Sequence, residues 1–256
     1  MAIGDEVSDR YGNNFLPVLP RGHGVCPVCH SWRPGTYPTC PTCYRGRKTL
    51  TVGVDALDFV ALSVRYSPLG RDLAFYKDER TSPAERERIK GDLTEVLRRW
   101  LAGHERCLSK AAGVPAFSVV ATIPSTKHRV IHPLEEMVGK SIDLTRGRWR
   151  DVLTATAVDP EDRTHLAKRF TVANLEPGLP VLLIDDTMTT GSRIQGAAAA
   201  LKAAGSGPVG AVVIGRHFDT HQPGDFGEVA QQYFERSRAL GWSWDCCCLC
   251  DKRATS

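Results

Sequence analysis

Asp185 and Asp186 stand side by side after Val181-Leu182-Leu183-Ile184, and Thr187-Met188-Thr189-Thr190-Gly191 follows them directly. Two adjacent carboxylates, three threonine hydroxyls and a glycine make a compact polar set. Such a turn, leading into a helix, can hold a phosphate dianion through backbone N–H groups, hydroxyls and the helix dipole. A second set is Cys26-Pro27-Val28-Cys29, ten intervening residues, and Cys40-Pro41-Thr42-Cys43. Two Cys-x-x-Cys knuckles supply four thiolates to one tetrahedral ion such as zinc, and closure by four protein ligands makes the role structural. A third set is Pro124-Ser125-Thr126-Lys127-His128-Arg129, where two hydroxyls, two fixed cations and a histidine offer the groups an anion wants.

The elements that position these groups follow from the apolar pattern. Val181–Ile184 is a four-residue aliphatic run of the kind buried on both faces of a parallel sheet. The alanine-rich stretch Gly196–Ala204 is a helix by composition, stopped by Gly205. Val209–Ile214 supplies the next strand, so strand, helix and strand form a βαβ unit. Ser118–Ile123 is another buried parallel strand. The basic loop at 124–129 leaves its carboxyl end, where open α/β sheets bind ligands.

Elsewhere, Leu57–Val64 and Leu73–Tyr76 flank Ser67-Pro68-Leu69-Gly70 and are expected to form a hairpin. Ser82-Pro83 starts a helix expected to reach about Gly103, with Ile89, Leu93, Val96, Leu97, Trp100 and Leu101 as its apolar stripe. His104 and Cys107, just beyond, are expected to be packing or surface residues. Pro133–Lys140 and Gly227–Leu240 are further helices, and His132 is a cap-region residue. The basic segment 145–169 has little periodicity apart from a short strand at Val152–Val158 and is expected to be a mobile flap. Residues 1–22 form an arm or loop. His217, Asp219 and His221 make a weak metal signal, for which loop solvation is the simpler account.

The chain has 256 residues, 42% of them hydrophobic, enough for a full core and a smaller appended module. Its 33 basic and 29 acidic residues leave a formal charge of +4, too balanced to argue for a nucleic-acid or membrane partner. No apolar run approaches a membrane span, and a cytoplasmic location is expected. Eight of nine cysteines sit in two terminal clusters, which in a reducing compartment favours metal over disulfide. Cys247 and Cys250 form a further Cys-x-x-Cys. It could build a second zinc site with a histidine such as His23 or His30, cap the N-terminal module, or act as a redox pair. Three segments are expected: an arm and four-cysteine zinc module over 1–50, an α/β domain over 51–240, and a cysteine-rich tail over 241–256.

Ile184-Asp185-Asp186-Thr187-Met188-Thr189-Thr190-Gly191 resembles the phosphoribosyl-diphosphate (PRPP) motif of type I phosphoribosyltransferases. With the double Cys-x-x-Cys module, the chain is similar to the ComF-like (amidophosphoribosyltransferase-like) branch over roughly residues 26–216. The resemblance implies a mainly parallel sheet flanked by helices under a mobile hood, the 145–169 segment. Asp185 and Asp186 would then meet the ribose hydroxyls, and Thr187, Met188, Thr189, Thr190 and Gly191 would hold the 5-phosphate. The loop with Ser125, Thr126, Lys127 and Arg129 would take the pyrophosphate, with Mg2+ bound alongside PRPP. It implies transfer to a nitrogen nucleophile that the residues do not identify. The Arg-Gly-Phe-Asn segment usual after that loop is not reproduced at Arg129-Val130-Ile131-His132. Thr189 stands where some purine phosphoribosyltransferases place an aspartate base, so no general base carries over. A PRPP-sensing or nucleic-acid-associated binding protein acting through its zinc module is the alternative expectation.

Overall fold

The computed structural model describes residues 11–47, 50, 52–125, 132–156, 167–220 and 226–250. Its centre is a four-stranded sheet of β1 (Ala56–Val64), β2 (Val119–Thr122), β5 (Val181–Met188) and β6 (Val209–Phe218), all pairs parallel, in the order β1-β6-β5-β2. These strands are almost wholly buried, which explains their unbroken aliphatic runs: a parallel sheet covered on both faces leaves no solvent side for a polar alternation. Odd and even positions of β5 divide between the layers. Val181 and Leu183 pack with Ile194, Ala197 and Leu201 of α6 (Ser192–Ala203), while Leu182 and Ile184 pack with α3 (Pro83–Ala111).

α3 is capped by Ser82, whose side chain accepts from the Glu85 N–H, with Pro83 at its first position. It runs through Gly103 rather than stopping there. A helical glycine costs about 1 kcal/mol, and buried His104 and Leu108 continue the stripe and offset it. The expected hairpin is corrected: residues 68–75 form a helix, α2 (Pro68–Phe75). Its buried residues Leu69, Asp72 and Leu73 are three and four apart, a helical period that the short apolar run 73–76 conceals. Ser67 caps α2 by accepting from the Gly70 N–H and donating to the Val64 carbonyl. A side chain at Gly70 would lie 2.3 Å from that carbonyl, so only glycine lets the helix turn back so tightly after β1.

α1 (Pro41–Arg47) carries the second cysteine knuckle. α4 (Pro133–Glu136) is capped by the His132 side chain and leads through a π turn, Met137–Ser141, into α5 (Asp143–Arg146). The basic segment is more ordered than a flap. β3 (Leu153–Ala155) pairs antiparallel with β4 (Phe170–Val172), burying Val152, Leu153 and Phe170 against the main core. Arg148 is a structural anchor, bridging Glu105 at 2.6 Å and the Phe117 carbonyl; residues 157–166 lie outside the described set. α7 (Phe226–Leu240) completes the elements.

The free edge of β1 is covered by both ends of the described chain. Leu62 N–H donates to the Leu16 carbonyl, and Trp242 Nε1 donates to the Val60 carbonyl. An open strand edge is a template for unwanted pairing, and this covering removes it. Cys26, Cys29, Cys40 and Cys43 belong to the same buried cluster as β5 and α6. Among the described residues, no helix is long and apolar enough to cross a membrane.

Candidate functional site

β5 extends to Met188, so Asp185 and Asp186 lie within the strand's last pleats, each 4% exposed. Successive strand residues face opposite sides, and the two carboxylates meet different surroundings. Asp186 accepts from Tyr76 Oη at 2.5 Å and pairs with Lys77 Nζ, both just beyond α2. Burial works against its charge, but Lys77 and Tyr76 outweigh it and hold its pKa below the ordinary value. Asp185 accepts the Asp186 N–H at 3.0 Å. Burial pushes its pKa up to about 6, with Arg193 opposing. Two neighbouring acids thus differ in proton affinity at neutral pH, one held ionised and one close to titration.

The turn after β5 gathers hydroxyls at a helix N-terminus, groups that can hold an anion. Gly191 has φ 78°, and α6 begins at the next residue, ahead of the alanine run that marks it in the sequence. Ser192, Ile194 and Gln195 are all buried on it. Thr190 Oγ1 accepts from the Ser192 N–H at 3.4 Å and donates to Ser192 Oγ at 3.1 Å, folding both hydroxyls over the helix start. Twelve residues of aligned peptide dipoles therefore point their positive end at the Thr189–Gly191 turn. Thr189 and Thr190 line a cavity of about 640 Å3 shared with Trp32, Tyr44, Arg45 and His217. A neighbouring cavity of about 570 Å3 reaches Thr187, Lys77, Arg65 and Arg71. Both sizes suit a small-molecule ligand.

Arg216, at the end of β6, fixes the turn from behind. Its Nη1 donates to the carbonyls of Met188 at 2.9 Å and Thr189 at 2.7 Å. Its other nitrogens reach the Cys29 carbonyl at 3.4 Å and the Cys29 Sγ at 3.8 Å. The side chain is buried, and burial disfavours its charge; the sulfurs of Cys29 and Cys40 outweigh that and raise its pKa. One guanidinium thus ties the cysteine module to the turn.

Cys26, Cys29, Cys40 and Cys43 bring their sulfurs within 4.8 Å of one another, all buried, with Cys29 and Cys40 at 3.6 Å. None of the nine cysteines is in a disulfide. Hydrogen bonds from Cys29, Cys40 and Cys43 pull the Cys26 thiol far down in pKa, while hydrogen bonding with Cys26 and Cys29 pushes Cys40 and Cys43 up. The Cys43 N–H also points at Cys40 Sγ. This compact tetrad fits a metal such as zinc, whose charge would take the place of the shared protons.

The structure therefore brings Asp185, Asp186, Thr187, Met188, Thr189, Thr190 and Gly191 together at the carboxyl end of β5. Ser125 follows β2, and the loop's start is held by Arg193, whose Nη2 donates to the Pro124 carbonyl at 2.6 Å. Thr126, Lys127 and Arg129 lie outside the described residues. Cys247 and Cys250 are grouped with His104 and Cys107, not with His23 or His30. His30 faces the Leu19 carbonyl through Nδ1 at 3.1 Å, and His23 offers its carbonyl to Arg236. His104 and Cys107, expected to be packing or surface residues, thus stand in a group that could hold a metal ion. Tyr76, Lys77, Arg193 and Arg216 were not singled out by sequence reasoning, because single polar residues scattered along the chain leave no spacing signal. His104-x-x-Cys107 did leave one: two potential metal ligands one turn apart on a helix face, a spacing that complements the Cys-x-x-Cys at 247 and 250.

No protein-family profile matches the chain, and no curated protein matches it.

Proposed function

We propose that the protein is a type I phosphoribosyltransferase that binds Mg-PRPP and transfers the phosphoribosyl group to a nitrogen nucleophile, releasing pyrophosphate. The observation that carries this reading is the junction of β5 and α6. After a parallel strand that carries Asp185 and Asp186 near its carboxyl end, the Thr189-Thr190 turn and a left-handed Gly191 lead into the N-terminus of a twelve-residue helix. The 5-phosphate sits on the turn N–H groups and the hydroxyls of Thr189 and Thr190. The ribose hydroxyls donate to Asp185 and Asp186 once Lys77 moves off Asp186, freeing that ammonium for the diphosphate. Negative charge at the ribose also favours the oxocarbenium-like character that develops as the C1–O bond breaks. Magnesium arrives with the diphosphate as part of the substrate and takes up charge on the leaving group. Ser125, with Thr126, Lys127 and Arg129, supplies the remaining pyrophosphate contacts.

Mg-PRPP is expected to raise the melting temperature of the wild-type protein, and the Asp185→Asn/Asp186→Asn variant is expected to lose that rise. An equal rise in the variant overturns the assignment. Pyrophosphate release across a panel of nucleobases and amines then identifies the acceptor class.

A second reading is favoured by one feature of the cysteine module. Tyr37 and Tyr44, each about half exposed, line with Arg45 the larger of these two cavities. Exposed rings beside a guanidinium suit stacking with unpaired bases. On this reading the protein senses PRPP and binds single-stranded nucleic acid, with salt-sensitive affinity that is lost on zinc removal.

A further inference from the structure

We infer that His104, Cys107, Cys247 and Cys250 form a second, structural zinc site that fastens the C-terminal tail to α3. The four ligand atoms lie within 4.8 Å of one another, and two of the four residues are buried. Cys250 Sγ is 3.7 Å from Cys107 Sγ, 3.3 Å from Cys247 Sγ and 3.7 Å from His104 Nδ1. A tetrahedral zinc with its usual bonds to sulfur and nitrogen places its ligands about 3.5–3.8 Å apart, so the cluster needs only small adjustments to close on an ion.

Three independent features prepare the residues for that role. His104 and Cys107 are one turn apart on the same face of α3, so the helix presents both to a single point. His104 Nε2 lies 2.8 Å from the Trp244 carbonyl. A carbonyl only accepts, so Nε2 carries the proton and Nδ1 keeps its lone pair facing the sulfurs, the tautomer a metal needs. The Cys247–Cys250 turn directs backbone N–H groups at its own sulfurs: Cys247 N–H to Cys250 Sγ at 3.2 Å and Leu249 N–H to Cys247 Sγ at 3.4 Å. The Cys40–Cys43 knuckle of the first cluster shows the same kind of N–H to sulfur contact. Such contacts stabilise thiolates, the form that binds metal.

Four protein ligands leave no open position, so the ion holds structure and performs no chemistry. What it holds is specific. Between its two ligand pairs the tail returns across α3, stacking Trp242 on Trp100 and setting Trp244 under Arg99. It also places Cys248 Sγ 3.1 Å from the buried Asp58 carboxylate, which accepts from Trp100 Nε1 on its other oxygen. The tail thus covers the β1 edge and closes over a buried acid. Without a fixed tail, Asp58 loses a hydrogen-bond partner, at a cost that buried acids make high. The site is independent of the proposed PRPP reading.

The test is a zinc count and a cobalt spectrum on the full chain, purified under reducing conditions. Two zinc ions per chain are expected. Cys247→Ser/Cys250→Ser should lose one, and Cys26→Ser/Cys29→Ser should lose the other. Cobalt-substituted wild type should show overlapping all-sulfur and mixed sulfur–nitrogen tetrahedral spectra. His104→Cys should retain both ions and leave only the all-sulfur form. A wild-type protein whose zinc count is unchanged by Cys247→Ser/Cys250→Ser overturns the site. Should that variant fail to fold, the wild-type spectrum decides: an all-sulfur spectrum alone overturns the site, and a sulfur–nitrogen component supports it.

Discussion

At the scale of single residues, the acid pair shows how position on a strand divides two identical groups. Asp186 faces Tyr76 and Lys77 and stays ionised, whereas at Asp185 the cations Arg193 and Lys77 and one backbone N–H offset desolvation only in part. A carboxyl whose pKa is higher in the folded than in the unfolded state binds more protons when folded. Stability therefore falls as pH rises from about 4, and the loss is complete above the folded value of about 6. Over that interval the cost is about 3 kcal/mol. Asp185→Asn keeps the acceptor for the Asp186 N–H and removes the charge. Its advantage over wild type in urea unfolding is expected to grow between about pH 4 and pH 6 and then level off, without ligand. An advantage that is flat with pH would show that Asp185 is not desolvated.

At the scale of elements, the β5–α6 junction depends on one backbone conformation. Gly191 holds φ 78°, and a side chain there would sit 3.2 Å from Met188 Cε. Gly191→Ala is expected to cost about 1–2 kcal/mol, lowering the melting temperature by a few degrees, and to weaken phosphate or PRPP binding further because the turn N–H groups lose their common aim. A variant that melts lower but binds PRPP with wild-type affinity would separate the turn from the ligand. Elements with a long period or a strong cap were legible from sequence: α3 from its stripe and Ser82-Pro83, and β5 and β6 from their aliphatic runs. α2 was not, since eight residues give two turns and the same apolar positions fit a strand. In the segment 145–169 the short strand expected at Val152–Val158 is present as β3 (Leu153–Ala155), whereas the pairing that orders its described residues left no period in the sequence. Their order comes from Arg148 reaching Glu105 and from β3 pairing with β4, contacts between residues far apart in the chain.

At the scale of the molecule, the cysteine module and the sheet share one buried cluster, and Arg216 links Cys29 to the Met188–Thr189 carbonyls. A module joined in this way should unfold with the sheet rather than before it. Cys26→Ser/Cys40→Ser is accordingly expected to lower the melting temperature of the entire protein in a single calorimetric transition. An upper transition left at the wild-type temperature would mean that the module is an appendage. The same coupling links the cysteine tetrad mechanically to the Thr189–Gly191 turn, through one guanidinium.

The sequence by itself determined the local chemistry: two carboxylates ahead of a hydroxyl-rich turn, two Cys-x-x-Cys knuckles that fit one ion, and the buried strands that carry them. Those follow from spacing along the chain, where a motif and its geometry are nearly the same thing. Only the tertiary structure decided the partners. It set Lys77 and Tyr76 on Asp186 across 109 and 110 positions, placed Arg216 behind the turn, and brought His104 and Cys107 to the terminal cysteines. Such pairings are chosen by which faces of the packed elements meet, and no period in the chain records that choice.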